Sequence, residues 1–133
     1  MSKSQVHQGS VSTAWIHIQT TVASQDDARR LAKCLVEARL AACVQIQPGV
    51  ESVYWWQGKI EQELEWVLVI KTHASLWESL LDWFDEHHPY DCPQMIALPL
   101  TRVAPSFEAW LKEQILDSLD EDPTSVKGGS NNG

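Results

Sequence analysis

A chain of 133 residues with a hydrophobic fraction of 44% and seven tryptophans has apolar surface for one core, and a division into two would leave each half marginally buried. Its formal net charge of -8 comes with no Lys/Arg run or basic helix face, which excludes a nucleic-acid binder that works by neutralising phosphates. Residues 1–12 lack the apolar run of a signal peptide, and nowhere do the ~18 consecutive apolar residues of a membrane span occur, so no membrane partner and a cytoplasmic location are expected.

Residues 1–13 carry no apolar pattern and are expected to form a flexible N-terminal segment. A first strand is predicted over 14–21, where Ile16 and Ile18 alternate with Trp15, His17 and Gln19. Ser24 and Asp27 then have the spacing of a capping box, in which a side-chain oxygen satisfies an orphan amide of the first helical turn. Behind it Ala28, Leu31, Ala32, Leu35 and Ala38 recur at three- and four-residue steps and give a helix with one apolar face. Residues 41–56 are rich in strand formers but broken by Pro48-Gly49, which must bulge the strand because proline cannot donate to a ladder. Gln57-Gly58-Lys59 supplies a turn, and a long strand follows over 60–72, apolar on both sides in its middle.

A second capping-box pair, Ser75 and Glu78, predicts a helix with Trp77, Leu80, Leu81, Phe84 and His88 on one stripe, stopped by Pro89. A fourth strand is predicted over 95–102. Pro105 opens a third helix, with Phe107, Trp110, Leu111 and Ile115 expected inward. The domain is thus expected over 14–118, followed over 119–133 by an acidic, then Gly/Ser/Asn-rich tail too polar to bury anything and expected to be disordered. The order strand-helix-strand-strand-helix-strand plus one helix is a ferredoxin-like βαββαβ antiparallel sheet of the α+β class.

Two hairpin strands of about twelve residues beside flanking strands near eight must project beyond their own sheet. With Tyr54, Trp55, Trp56 and Ile60 on it, such a ribbon is expected to be covered by further copies of the chain. The alternative is that Trp55 and Trp56 pack on opposite sheet faces within one subunit.

Three cysteines, Cys34, Cys43 and Cys92, make neither an even set nor a CxxC pair, so neither a disulfide framework nor a structural zinc site is indicated. Cys34 and Cys43 lie in Ala/Leu/Val-rich sequence and are expected as small buried hydrophobes. Cys92 falls in a loop between Pro89 and Pro93.

Residues 35–44 (LVEARLAACV), 48–60 (PGVESVYWWQGKI) and 87–93 (HHPYDCP), followed by Leu98-Pro99 and Trp110-Leu111, together resemble the divalent-cation tolerance protein CutA family. The resemblance implies a homotrimer whose long hairpins interlock, cytoplasmic in bacteria and linked to tolerance of copper and other divalent metal ions. It also implies a likeness to PII-type signalling trimers, which bind small ligands between subunits. In the family a histidine pair matching His87 and His88, with a cysteine on the first strand, is associated with copper; Gln19 stands at the cysteine position here.

His87 and His88 are therefore the candidate metal ligands, neutral imidazole being suited to copper, nickel and zinc. Adjacent helical residues diverge by about 100 degrees, so the two rings do not chelate one ion without distortion, and Gln19 replaces a soft thiolate by a poor ligand. Any copper or other divalent metal is expected to be weakly bound. The competing reading is that histidines ending a helix interact with its unsatisfied carbonyls.

A second functional class is an anion sensor in which Lys71, Arg39 and Tyr90 meet a ligand in a subunit cleft. No Gly-rich phosphate loop is present, and no organic cofactor is expected. No nucleophile elbow, HExxH helix or paired-acid spacing occurs either, so the chain is expected not to be an enzyme.

Overall fold

The computed structural model describes residues 14–115 and Leu119. The segment expected over 1–13 and the tail expected over 119–133 lie outside the described residues, Leu119 apart. Along the chain run β1 (Trp15–Val22), α1 (Gln25–Glu37), β2 (Cys43–Trp56), β3 (Lys59–His73), a 3-10 turn (Ala74–Leu76), α2 (Trp77–His87), β4 (Ile96–Pro99) and α3 (Pro105–Gln114). The strands form one four-stranded sheet in the order β2-β3-β1-β4, with every neighbouring pair antiparallel. This is the α+β architecture expected from the element order.

Alternation along the strands sorts the side chains into two faces. Ile16, Ile18 and Val22 of β1 join Leu68 and Ile70 of β3 in one buried cluster with Ala28, Leu31 and Leu35 of α1 and Leu80 and Phe84 of α2. Leu111 and Ile115 complete that cluster from the C-terminal end. The first capping pair forms as expected: the Asp27 amide donates to Ser24 Oγ at 3.1 Å. Within the same layer, Thr72 Oγ1 donates to the Leu40 carbonyl at 2.7 Å, which satisfies a hydroxyl that is fully buried.

β1 pairs with β3 only as far as Val22 opposite Trp66, whereas the β2–β3 pairing continues to Trp56 opposite Lys59. The tip turns on Gln57 and Gly58, both with positive φ (50° and 80°), the geometry of a two-residue type I′ hairpin loop whose twist matches its strands. A one-residue bulge separates the pairs Gln47–Val67 and Val50–Glu65, at the Pro48-Gly49 interruption, where Gly49 takes a φ of 75°.

Several expectations are corrected. Cys34 is exposed: it lies about 100 degrees round the helix from Leu35, outside the Ala28/Leu31/Leu35 stripe. The second capping box does not form; the helix starts later, after a 3-10 turn capped by His73, whose Nδ1 accepts from the Ser75 amide. β4 is four residues long rather than eight. Of the four residues expected inward at the third helix, Leu111 and, just past the end of α3, Ile115 are buried, while Phe107 and Trp110 stay exposed and stack on each other, their ring centroids 5.7 Å apart. Nor do Trp55 and Trp56 pack within the subunit: they are 71% and 51% exposed.

Phe84 sits between sheet and helices with almost no exposed surface. Phe84→Ala is expected to lower the unfolding free energy by about 3–5 kcal/mol, read from denaturant unfolding at fixed protein concentration.

Candidate functional site

Where β3 runs past the end of β1, Glu65 follows Leu64 and precedes Trp66 on the strand, a residue only 6% exposed. Both of its oxygens are held. Ser52 Oγ, from β2, donates to Oε1 at 2.6 Å, and Tyr90 Oη, from the loop after α2, donates to Oε2 at 2.7 Å. Burial, then the hydrogen bond to Glu65, pushes the Tyr90 phenol well above its ordinary value, so the hydroxyl remains a donor throughout the physiological range. The three residues border a cleft of about 550 Å³ between the base of the hairpin and the 90–94 loop.

The same loop is fixed from behind by His88. Its Nδ1 accepts the Tyr90 amide at 3.1 Å and its Nε2 lies 3.0 Å from Thr20 Oγ1. An Nδ1 that accepts a hydrogen bond carries no proton, so the ring is neutral and Nε2 is its donor. Burial is the largest influence on this imidazole and lowers its pKa from 6.5, against partial compensation from the Thr21 backbone and from Asp27.

The structure therefore separates the two candidate metal ligands. His87 stacks on Trp83, the ring centroids 4.1 Å apart, and uses Nδ1 against the Trp83 carbonyl at 2.7 Å. Its Nε2 has no hydrogen-bond partner among the described residues, whereas both nitrogens of His88 are engaged. Among the described residues no three His, Cys, Asp or Glu side chains come together in a group that could hold a metal ion. Gln19 lies on β1 opposite Val69 and Ile96.

Lys71, Arg39 and Tyr90 are not brought together. Lys71 lies six residues along β3 from Glu65, about 20 Å away at strand spacing, and bonds Gln45. Arg39 donates to the Gln114 carbonyl at 2.8 Å. Only Tyr90 lines the cleft, whose charged lining residues are Glu63, Glu65 and Asp91.

Sequence reasoning missed Glu65 and Ser52 because each is an unremarkable polar residue on an alternating strand. The available signal was an acid placed between Leu64 and Trp66, at the point where the strand outruns its neighbour.

Residues 16–114 match the family model described as CutA1 divalent ion tolerance protein. The chain belongs to that family. It is 41% identical over 103 residues to the chloroplastic protein CutA 1 of Oryza sativa, covering 77% of this chain and 58% of that one. It is 42% identical over 93 residues to the divalent-cation tolerance protein CutA of Thermus thermophilus, covering 70% and 90%. The solved CutA structure from Synechococcus elongatus superposes with a TM-score of 0.75 at 34% identity, over 78% of this chain and 92% of that one. The chain thus spans less than two thirds of the plant relative's length, and that relative is named as chloroplastic. No helix among the described residues is long and apolar enough to cross a membrane.

Because the folded His88 binds its proton less readily than the unfolded chain, its contribution to stability is full above pH 6.5 and is lost as pH falls below it. His17 and His73 are lowered in the same direction. Denaturant unfolding at neutral pH and at about pH 5.5 is expected to show wild type losing stability with acid and His88→Gln losing less.

Proposed function

We propose that this chain is a divalent-cation tolerance protein that works as a homotrimer closed through the β2–β3 hairpin, without catalytic chemistry of its own, and that it takes up copper or another divalent metal ion weakly. The observation that carries this reading is the stripe Val53, Trp55, Ile60 and Leu64, each more than half exposed. The pairing register places these residues on one face of the ribbon, continuous with the core face that carries Leu68 and Ile70. An apolar sheet face without a covering layer is buried by association.

The sheet's two free edges, β2 and β4, are unlike in length and side chains. Pairing unlike surfaces head to tail gives rings rather than twofold dimers, in keeping with the trimer that the family resemblance implies. His87 is the metal ligand of choice within this reading: a backbone carbonyl fixes Nδ1–H and leaves Nε2 as a lone-pair donor. As no group of three His, Cys, Asp or Glu side chains able to hold an ion occurs among the described residues, affinity is modest.

Sedimentation equilibrium is expected to give three chains per particle, and Trp55→Glu to reduce the mass to one chain; a wild-type monomer would refute the assembly. Copper titration by calorimetry is expected to lose its heat in His87→Ala and to keep it in His88→Gln. Unchanged binding in His87→Ala would remove that residue from the metal site.

A further inference from the structure

The cleft beside the hairpin has a chemistry that the metal reading does not use. Its charged lining is wholly acidic, from Glu63, Glu65 and Asp91, and three aromatic side chains, Tyr54, Trp56 and Tyr90, border the same space. Glu65 is buried, yet its two bonded partners are neutral hydroxyls, and the ion pair found among the described residues, Arg30 with Asp27, lies elsewhere. Removing a carboxylate from water without a counter-charge is costly. The cleft is thus arranged to gain from a cation that enters it.

Which cation follows from size and ligand geometry. The carboxylates do not form a convergent set able to chelate a bare ion, and a hard divalent cation requires six or more oxygen ligands at short range. A volume of about 550 Å³ falls instead in the range of small-molecule sites. Aromatic faces beside carboxylates are the combination that recognises alkylated ammonium groups, through ring quadrupole and charge together. An anion is disfavoured at the same place, since no Lys, Arg or His lines it.

We propose that this cleft is a binding site for a small organic cation, a substituted ammonium compound whose charge lies against Glu65 and whose body lies along Tyr54, Trp56 and Tyr90. His87 does not line the cleft, so the site is distinct from it and does not depend on metal uptake.

The test is calorimetric titration of the full chain with choline and with ethanolamine, using dimethylbutanol as the uncharged counterpart of choline. Saturable binding of at least one ammonium compound is expected, with none by dimethylbutanol. Glu65→Gln is expected to weaken that binding at least about tenfold. As Glu65 is buried, the double variant Glu63→Gln/Asp91→Asn provides a second reading at exposed positions and is also expected to weaken binding, while copper titration of His87 stays unchanged in it. The proposal is overturned if neither ammonium compound saturates by about 10 mM, if dimethylbutanol binds equally, or if both sets of variants bind as wild type does. It is also overturned if copper or magnesium alone fills the cleft with an affinity that Glu65→Gln abolishes.

Discussion

One strand is longer than the sheet can use. β3 has no β1 partner beyond Trp66 but remains paired with β2 down to Lys59, and on the core face beyond that point Leu64 and Ile60 are exposed. Everything distinctive about the molecule follows from this mismatch. The overhang pairs only the facing edges of its two strands, so its outer backbone edges stay open and its side chains are left without a second layer. A ribbon of this kind is marginal in water by itself, so its persistence has to be supported at the base and along its faces.

Support at the base comes from the Glu65 contacts. Ser52 crosses from the neighbouring strand, and Tyr90 reaches in from the loop that His88 holds against Thr20. A chain of hydrogen bonds therefore runs from the first strand, through the end of α2, to the root of the ribbon. Buried polar networks of this sort rigidify when fully satisfied and are expensive when broken. The hairpin is accordingly a braced arm rather than a hinged one, and the cleft beneath it has walls of fixed position.

Much of this architecture was legible in the residues. The Ala28/Leu31/Leu35 spacing, the Ser24 cap and the Pro48-Gly49 interruption are local signals, and each has the local consequence expected of it. The excess length of the hairpin strands was readable for the same reason. Signals that failed were those decided by tertiary packing. Cys34 and Trp110 sit beside core positions in sequence but on the flank of their helices, and periodicity sampled over a short helix does not separate the two. The cleft was illegible because Ser52, Glu65 and Tyr90 are far apart in the chain, and only strand register and the path of one loop bring them together. The histidine pair was visible, but adjacent residues at a helix end point apart, and their partners, Trp83 for one and Thr20 and Tyr90 for the other, emerge only in three dimensions.

The bulge at Pro48-Gly49 has a further consequence. Between the pairs Gln47–Val67 and Val50–Glu65, β2 advances one residue more than β3, which inverts the parity of every β2 side chain beyond it. That inversion is what sends Val53 and Trp55 to the greasy side with Ile60 and Leu64, and Ser52, Tyr54 and Trp56 to the side of Glu63 and Glu65. Deleting a single residue there would send every β2 side chain beyond it to the opposite face while the β3 side chains kept theirs, and composition would be almost untouched, since strand side chains repeat with period two. A lineage could therefore blend the apolar and the acidic face, and lose both surfaces together, by an indel rather than by any change of residue type.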